Sequence, residues 1–444
     1  MITNSEKQKI ATHFQNRMDD DELLNCMRCG FCLPSCPTYI ETNRQEVHSP
    51  RGRIALMKAV KDGVIEPNEE VEQSLNMCLG CRACEPVCPS GVKYGHLLEE
   101  ARDIIYQSKE YSKFNRWVRN FLFQALIPNQ RRLRKTVSLI GVYQRSGIQK
   151  VARKMGVLNL LPSHIKTMEK TLPNIPSYKE LASQPRNVKP IGLRKTRIAF
   201  FRGCLMDAMF YETNQATIKL LQLAGCEIVI PPKQTCCGAL HGHSGEKEQA
   251  KELAKRNIEA FEQLDVDYIV TNAGGCGAFL YEYDHLLKND SEWNERAKGF
   301  VQQIKDVTDI LVELKFHEQF SLQLPSQIVT YQDSCHLRNV MKTVHSPRTL
   351  LKSIQGIQFK EMKEADRCCG SAGTYNIVQP EMSMQILDHK MGRVRETNAT
   401  TIVTANPGCL LQMKIGIERE NRNDLRAVHI VDLILEAVKN KKHE

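Results

Sequence analysis

The sequence of 444 residues lacks the features that mark three common classes of protein. Its longest apolar stretches, 121–128 and 137–143, are far shorter than the roughly 18 to 20 residues that a membrane-spanning helix needs. Residues 1–24 are polar and contain no apolar segment like that of a secretory leader. There is no G-x-G-x-x-G stretch, which argues against a dinucleotide-binding fold for flavin or nicotinamide. We therefore expect a cytoplasmic chain, at most peripherally attached to the inner face of the cell membrane.

Cysteine, by contrast, is abundant, with 17 copies in the chain. In a secreted protein so many cysteines would indicate disulfides, but in a reducing compartment clustered cysteines indicate metal binding or catalysis. An apolar content of 41% and a charged content of 25% are those of an ordinary globular protein, which argues against disorder. A single core is not expected at this length, and the chain should fold as roughly two to four domains.

Two cysteine runs near the N-terminus, 26–37 and 78–89, share the spacing C-x2-C-x2-C-x3-C-P without deviation. Three thiolates two residues apart can surround one cluster, and the fourth, before proline, ligates the other cluster of the pair. A pair of structural zinc sites is the alternative, but zinc needs neither the third C-x2-C step nor the trailing proline. The pattern predicts two cubane 4Fe–4S clusters, with the ligands Cys26, Cys29, Cys32 and Cys88 for one and Cys78, Cys81, Cys84 and Cys36 for the other.

The segment between these two motifs predicts helices rather than the compact two-stranded fold of a small bacterial ferredoxin. Ile54, Met57 and Val60 recur at helical spacing, and Val71 and Leu75 do so in the following segment. We therefore expect a mainly helical domain with the cysteine loops between its helices.

The remaining cysteines belong to an internal repeat. A single cysteine, a Cys-Cys-Gly turn and a second single cysteine recur after 131, 132 and 133 residues, which indicates a tandem duplication. The first unit contains Cys204, Cys236, Cys237 and Cys276, and the second contains Cys335, Cys368, Cys369 and Cys409.

Strands and helices alternate in both units. The apolar segments that predict strands are 197–201, 226–230, 268–271, 327–331 and 400–404. This alternation implies an α/β layer with parallel strands, and the repeat cysteines should lie at the carboxyl edge, where such sheets bind ligands. Four cysteines per unit suffice for one cluster each, so one or two further iron–sulfur clusters are predicted; a catalytic dithiol and a zinc site remain open alternatives.

Four residues near these cysteines have a less definite role. His241, His243 and His336 could donate a hydrogen bond to cluster sulfur without ligating iron, or could simply be satisfied polar residues. Cys226, which begins a predicted strand and belongs to neither motif, is expected to be an ordinary core residue.

The segment between the two cysteine-rich parts is strongly basic. Residues 108–170 contain 14 Lys or Arg and two acidic residues, a net charge of +12, whereas the whole chain is +10, so everything else sums to −2. Trp117, Phe121 and Tyr143 lie among its aliphatic residues, in what should be amphipathic helices. A solvated helical face, and a surface that docks an acidic partner subunit or an anionic membrane, both fit. Nucleic-acid binding is not expected, because no recognised motif accompanies the charge.

Taken together, these motifs resemble the family of glycolate oxidase iron–sulfur subunits, and more broadly the iron–sulfur subunits of anaerobic glycerol-3-phosphate dehydrogenase, lactate-utilisation proteins and heterodisulfide reductase. The residues that carry the resemblance most closely are 204–207, 236–243 and 333–337. The resemblance implies a multidomain fold: an N-terminal α-helical ferredoxin-like domain, then two tandem α/β CCG domains. The boundaries we expect are 1–105 for the ferredoxin-like domain, 106–195 for the basic connector, 196–325 for the first CCG domain and 326–444 for the second.

The sequence departs from the fullest form of the family pattern, in which each CCG unit ends with C-x2-C. The first of those positions is Ala273 in one unit and Asn406 in the other, so only Cys276 and Cys409 remain. A four-cysteine cluster is therefore expected in each unit, rather than the five-cysteine non-cubane cluster of heterodisulfide reductase.

The resemblance implies an electron-transfer subunit of a 2-hydroxy acid oxidase or dehydrogenase acting on glycolate or lactate. Iron–sulfur clusters accept single electrons and cannot take a hydride, so substrate oxidation requires a separate FAD-containing subunit. No catalytic residue is expected on this chain, and the electron acceptor should be a molecule such as a quinone. A heterodisulfide-reductase-like thiol–disulfide reductase, a glycerol-3-phosphate dehydrogenase subunit and a regulatory zinc or iron–sulfur module are the alternatives.

Overall fold

The computed structural model describes residues 2–160 and 162–440; Met1, Leu161 and 441–444, which fall within the predicted domains and connector, lie outside the described residues. The N-terminal part is helical up to residue 186. Its first helices are α1 (Asn4–Arg17), α2 (Asp20–Leu24), α3 (Pro37–Glu41), α4 (Pro50–Lys61), α5 (Glu69–Met77) and α6 (Tyr94–Ser108), with a 3-10 turn at Glu46–His48.

Local sequence explains why α4 begins and which side it buries. The hydroxyl of Ser49 accepts a hydrogen bond from Gly52 N–H at 2.9 Å, and Pro50 occupies the first turn, where its missing N–H is not needed. Ile54, Met57 and Val60 face the core, as their spacing predicted. Both cysteine loops lie between helices, as expected.

The basic connector is also helical. It contains α7 (Lys113–Asn120), a π-helical turn (Phe121–Leu126), α8 (Gln130–Arg145), α9 (Ile148–Lys154), a 3-10 turn (Val157–Leu160), α10 (Ser163–Thr171) and α11 (Tyr178–Ala182). Arg134 fixes α8 to the first repeat unit, because its guanidinium donates two hydrogen bonds, at 2.6 and 3.0 Å, to the buried carboxylate of Asp207.

The first repeat unit is built on a five-stranded sheet of order β1-β3-β2-β4-β5. All neighbouring strands are parallel except β1, which pairs antiparallel with β3 at the edge and was not predicted. The strands are β1 (Asn187–Val188), β2 (Thr196–Phe201), β3 (Cys226–Val229), β4 (Tyr268–Thr271) and β5 (Ile304–Asp306). The helices are α12 (Leu205–Met209), α13 (Tyr211–Leu223), α14 (Ala239–His243), α15 (Lys247–Phe261), α16 (Gly274–Leu280), α17 (Tyr283–Leu286), α18 (Asn294–Gln302), α19 (Val307–Glu313) and α20 (Phe316–Gln319).

The second unit has a four-stranded, wholly parallel sheet of order β7-β6-β8-β9. Its strands are β6 (Gln323–Gln332), β7 (Gln355–Phe359), β8 (Thr401–Thr404) and β9 (Arg426–His429). Its helices are α21 (Cys335–Asn339), α22 (His345–Lys352), α23 (Tyr375–Val378), α24 (Pro380–Thr397), α25 (Pro407–Arg419) and α26 (Ile430–Asn440). This order matches β3-β2-β4-β5 of the first unit, so the repeat in the cysteines is also a repeat in topology.

The two units share one hydrophobic core. Phe200 and Val270 of the first sheet belong to the same buried cluster as Val329 and Val403 of the second. Helix α16 of the first unit packs on α21 of the second; a Cβ on Gly274 would lie 2.4 Å from Ser334 Oγ. The two cysteine-bearing edges are therefore fixed relative to each other by close packing.

Candidate iron–sulfur sites

The first ferredoxin-type set lies near the protein surface. Cys26, Cys29, Cys32 and Cys88 line one small cavity of about 30 Å³ beside α4, and Cys84 of the other predicted set lines the same cavity. Cys29 is exposed and the other three members are partly exposed. Burial raises the pKa of Cys32 to about 11, so this thiol ionises at neutral pH only if a cation compensates its charge.

Both loops have the same unusual backbone. Arg28 and Gly80, each two residues after the first cysteine of its motif, have φ of 56° and 63°, and Gly30 and Arg82, two residues further on, have φ of 90° and 58°. A non-glycine residue seldom adopts this left-handed conformation. Turns of this kind direct successive N–H groups into a concavity that suits an anionic group such as an iron–sulfur cluster.

The second ferredoxin-type set is fully buried and has a cation beside it. Cys36, Cys78, Cys81 and Cys84 are all buried. Burial opposes ionisation of Cys78, but the charges of Arg53 and Arg102 outweigh it and lower the pKa of this thiol. Arg53 is completely buried; it donates to Ser74 O at 2.8 Å and Thr38 Oγ1 at 3.0 Å, while its Nη1 has no partner among the described residues.

These two sets fit the clusters that the motifs imply. Four soft thiolate donors, loops that present N–H groups and a buried arginine with an unused donor together suit a multi-iron group of net negative charge. Across residues 2–160 and 162–440, no three His, Cys, Asp or Glu side chains are grouped so as to hold a single metal ion.

The cysteines of the first repeat unit form a continuous series. Cys204 Sγ lies 3.5 Å from Cys236 Sγ, Cys236 is within hydrogen-bonding reach of Cys237, and Cys237 is within reach of Cys276. The N–H of Gly238 donates to Cys236 Sγ at 3.4 Å. Cys204 and Cys276 lie at the starts of α12 and α16, near the carboxyl ends of β2 and β4, as the α/β arrangement predicted.

The second unit repeats this arrangement and also contacts the ferredoxin-like part. Cys335 is within hydrogen-bonding reach of Cys368, and Cys369 is within reach of both Cys368 and Cys409. Cys81 of the buried ferredoxin-type set lies against Cys368 in a shared apolar cluster. This contact between a ferredoxin-type cysteine and a repeat cysteine could not be read from the spacing.

Both repeat sets open into the same large cavity, with a volume of about 610 Å³. Its walls also include Cys78 and residues from the connector and from both units. All eight repeat cysteines line it: Cys204, Cys236, Cys237 and Cys276, and Cys335, Cys368, Cys369 and Cys409. Cys226, in contrast, lies in the core on β3, as expected for the cysteine outside both motifs.

The three histidines have different positions. His241 is buried and bonded through Nε2 to Phe123 O of the connector at 2.7 Å. His336 and His243 line the cavity with their rings stacked, 5.2 Å apart and at 9°. His336 Nδ1 is 4.0 Å from Cys335 Sγ, so of the three only His336 approaches a cysteine. Burial lowers the pKa of His336 to about 3, which keeps its ring neutral.

Sequence reasoning missed two buried cations next to the cysteines. Arg53 and Lys390 are both fully buried, and the thiols of Cys368 and Cys369 are charge neighbours of Lys390. Burial lowers the pKa of Lys390 to about 8, and its Nζ donates to Glu364 O at 2.5 Å. Arg53 and Lys390 each lie on the apolar face of a helix. A charged residue at a position that helical spacing assigns to the buried face was the sequence signal that could have revealed these cations.

Family models match most segments of the chain. A "4Fe-4S dicluster domain" matches residues 22–92, the linker region of the "Glycolate oxidase iron-sulfur subunit" matches 114–172, and a "Cysteine-rich domain" matches 198–281 and 329–414. The predicted order of a ferredoxin-like part followed by two cysteine-rich units is therefore confirmed.

Full-length relatives give the same result. The chain is 66% identical over 443 residues to a "Probable glycolate oxidase iron-sulfur subunit" of Bacillus subtilis (strain 168), covering 99% of this chain and 100% of the relative. It is 30% identical over 395 residues to the "Glycolate oxidase iron-sulfur subunit" of Escherichia coli (strain K12), covering 88% and 89%. "Lactate utilization protein A" of Geobacillus thermodenitrificans (strain NG80-2) is 34% identical over 238 residues, 54% of this chain and 98% of the relative.

One solved structure is similar in fold. It is that of a hypothetical protein from Helicobacter pylori, with a TM-score of 0.51 and 10% identity, covering 97% of this chain and 76% of that one.

Proposed function

Because this chain belongs to the family of glycolate oxidase iron–sulfur subunits, and so is the iron–sulfur electron-transfer subunit of a hydroxy acid oxidoreductase, we propose a route for the electrons across it. The donor is an FAD-containing partner subunit that oxidises glycolate or lactate, and the acceptor is a quinone. The names of the relatives support both acids, because glycolate oxidase and lactate utilisation both occur among them.

The ligands follow from the cysteine sets. Cys26, Cys29, Cys32 and Cys88 hold one 4Fe–4S cluster, and Cys36, Cys78, Cys81 and Cys84 hold the other. The two repeat sets, each of four cysteines, hold one further cluster each. When bound, such a cluster supplies one-electron transfer, and the protein sets its potential through charge, hydrogen bonds and solvent exposure. The domain boundaries at 105, 195 and 325 belong to the same proposal.

One observation carries the route: each cysteine set either contacts another set or shares a cavity with it. Cys84 of the buried ferredoxin-type set reaches the cavity of the exposed set, and Cys81 lies against Cys368 of the second repeat unit. Both repeat sets then line one cavity. The sets therefore follow one another from the surface near Cys29 to the cavity of the repeat region.

The exposed end of this series is the place for the flavoprotein. Cys29 is the one solvent-exposed cysteine among the described residues, and Met27 and Phe31 on the same loop are 67% and 64% exposed. Exposed apolar side chains at a redox centre are typical of a docking surface for a protein partner. The flavin should therefore approach the loop of residues 26–32.

The basic connector supplies a contact with an anionic membrane surface. Phe114, Trp117 and Phe121 form an exposed stacked row, with ring centroids 6.4 and 5.9 Å apart, and the exposed Lys113 and Arg116 flank it. Aromatic side chains beside basic ones are the composition of helices that lie in a membrane interface. No helix in the described part of the chain has the length and apolar character needed to cross a bilayer. We place the chain on the inner, cytoplasmic face of the membrane, held there by this aromatic and basic surface.

The test compares the anaerobically purified complex with two variants of this chain. Cys409→Ser removes one ligand of the second repeat set and should abolish quinone reduction, while glycolate or lactate still bleaches the partner's flavin. Cys226→Ala, which changes the one cysteine outside the four sets, should leave quinone reduction near the wild-type rate. Undiminished quinone reduction by the Cys409→Ser complex, or by the flavoprotein alone, would contradict the proposed route.

A further inference from the structure

The large cavity has more apolar wall than the cysteines account for. Its volume is about 610 Å³, which includes the room for the two clusters proposed on the repeat sets; sites for small organic ligands measure roughly 300 to 1,000 Å³. One end is formed by the sulfur atoms of the repeat sets. The other part is lined by apolar side chains from the connector and both units, among them Met168, Leu172, Met206, Met209, Leu411 and Ile415.

Three hydrogen-bonding groups in the cavity wall, Nε of Arg102 and Nε2 of His243 and His336, have no partner among the described residues. His243 and His336 stack on each other, and each has an Nε2 that is buried and bonded to nothing in the described residues. His243 is held in place through Nδ1, which is 2.8 Å from Glu99 Oε1. A buried polar atom without a partner is costly in a folded protein and indicates a missing ligand or water. Because the Glu99 carboxylate accepts only, Nδ1 of His243 carries the proton and Nε2 of the neutral ring is an acceptor, which suits a hydroxyl of a hydroquinol. Nε2 of His336, in the tautomer that carries the proton there, can donate to a carbonyl oxygen of a quinone.

The rim of the cavity is apolar and exposed. Ile377 and Val378 of α23 are 50% and 68% exposed and line the cavity, as does Leu205, which is 37% exposed. Arg119 of α7 also belongs to the wall, two residues from Trp117 in the exposed aromatic row. Helix α7 therefore contributes both to the cavity wall, through Arg119, and to the exposed aromatic row, through Trp117.

We propose that this cavity is the acceptor site of the chain and binds a quinone. The head group lies against His243 and His336, and the isoprenoid tail follows the apolar wall towards Val378. This inference rests on the proposed function, because it places the acceptor of that route.

Reduction of the quinone by the 2-hydroxy acid balances in electrons and protons. Oxidation of one 2-hydroxy acid to the 2-oxo acid on the flavoprotein releases two electrons and two protons. The electrons reach the cavity singly, the quinone takes both together with two protons from water, and the hydroquinol leaves by the apolar rim.

A charged disulfide fits the cavity less well than a quinone. Its carboxylates would need a cation, and both arginines in the wall already donate to protein oxygens, which leaves only Nε of Arg102 without a partner among the described residues. Arg102 donates to the carbonyls of Leu75 and Cys78 at 2.9 and 2.5 Å, and Arg119 donates to the Glu246 carboxylate at 2.6 Å. The apolar side chains that line much of the wall favour an apolar acceptor.

The first experiment locates the site without measuring turnover. The complete complex, loaded with iron and kept anaerobic, is irradiated with an azido-benzoquinone carrying a short isoprenoid tail, and the labelled peptides are identified by mass spectrometry. We expect label within residues 205–210 or 371–379, and we expect unlabelled quinone to compete for it. Label confined to other segments would overturn the site, as would displacement by a disulfide but not by quinone.

The second experiment uses variants that leave the cysteines intact. Val378→Glu places a charge at the exposed rim and should raise the KM for quinone by about tenfold or more and reduce labelling, with iron and sulfide contents unchanged. Leu193→Glu, at a position that is 88% exposed and outside the cavity, is the matched control and should change neither. His243→Phe keeps a flat ring without nitrogen atoms and should raise the same KM, and His243→Gln should restore part of the affinity.

The outcomes distinguish a failure of the proposed quinone site from a failure of the proposed electron route. If the wild-type complex reduces quinone but Val378→Glu and His243→Phe both keep the wild-type KM, the site is wrong and the route stands. If the wild-type complex, supplied with glycolate or lactate, reduces no quinone, the route itself fails and this site with it.

Discussion

The side-chain oxygen of Asn406 accepts a hydrogen bond from the backbone N–H of Gly275 at 3.0 Å, although 131 residues separate them. The amide nitrogen of Asn406 lies 3.6 Å from Cys409 Sγ. Gly275 adjoins Cys276 of the first repeat set, so one amide group connects the cysteine-bearing edges of both units. At the position where a fuller CCG motif has a cysteine, this chain has a residue that bridges its two sites.

Replacing Asn406 should therefore loosen the repeat sites more than the rest of the fold. Asn406→Ala removes both hydrogen bonds and should lower the free energy of unfolding by about 1–2 kcal/mol. The electron-spin signals assigned to the repeat sets should shift, while those of the ferredoxin-type sets stay as in the wild type. Gln124→Ala, at an exposed position on the connector, is the control. Equal changes in all signals would contradict the bridging role.

The cysteine spacing predicted which cysteines lie near one another. The members of a ferredoxin motif are close in sequence, and the cysteines of the repeat occupy equivalent positions in the two units. The spacing could not predict that Cys81 meets Cys368, since that contact depends on how the helical domain docks on the repeat units. Docking is set by long-range pairs such as Asn339 Nδ2 with Cys81 O at 2.9 Å and Tyr375 OH with Met77 O at 2.8 Å. Patterns of hydrophobicity contain no information on such pairs.

The strands also divide into those that the sequence predicted and those that it did not. Strands β2, β3, β4, β6 and β8 were predicted from their apolar runs. The short β1 and the edge strands β5, β7 and β9 were missed; β7, for example, alternates exposed and half-buried residues and has no continuous apolar run. Their pairing with the central strands, rather than their own composition, makes them strands.

Arg53 should be needed for the buried ferredoxin-type site. Arg53→Met leaves the charge of the Cys36 and Cys78 thiolates without its buried partner, and we expect a loss of about 3–5 kcal/mol in the unfolding free energy of the loaded protein. The reduction potential of that site should become more negative. Lys58→Met, which removes an exposed pair with Asp62 on the same helix, should cost less than about 1 kcal/mol. Anaerobic denaturation and redox titration followed by electron-spin resonance measure both effects, and an unchanged potential would refute the charge argument.

The close approach of the two units makes Gly274 sensitive to any side chain. The new methyl group of Gly274→Ala would lie 2.4 Å from Ser334 Oγ and 2.8 Å from Leu337 Cβ, so we expect a loss of about 1–3 kcal/mol in stability. Gly299, in α18, is the matched control because a Cβ there meets nothing within 4 Å. Gly299→Ala should instead stabilise the protein by about 0.5–1 kcal/mol, through helix propensity. Thermal unfolding would show the two changes in opposite directions; the same direction for both would contradict the packing.

Asp306 should make stability fall as pH rises. Burial, assisted by the nearby Asp309 carboxylate, raises the pKa of Asp306 from its ordinary value of 3.8 to about 7. Below pH 4 the carboxyl is protonated in both states; between about 4 and 7 the unfolded chain ionises first, so folding loses up to about 4 kcal/mol across this range. Asp306→Asn keeps the acceptor that caps α19, because Oδ1 accepts from Thr308 N–H at 2.9 Å, and should remove this decline. The fully exposed Asp265→Asn should not, and an unchanged pH profile in Asp306→Asn would rule the effect out.

The aromatic row of the connector predicts how the complex meets a membrane. Wild-type complex should float with vesicles that contain phosphatidylglycerol and stay in solution with vesicles of phosphatidylcholine alone, because the basic residues need anionic headgroups. Added salt should weaken the binding by screening. Trp117→Glu places a charge on the apolar face and should reduce binding about tenfold or more, whereas Leu193→Glu, at an exposed apolar position outside the helix of the aromatic row, should not. If Trp117→Glu instead leaves vesicle binding intact and releases the flavoprotein from the complex, the connector docks an acidic partner, and the membrane assignment is wrong.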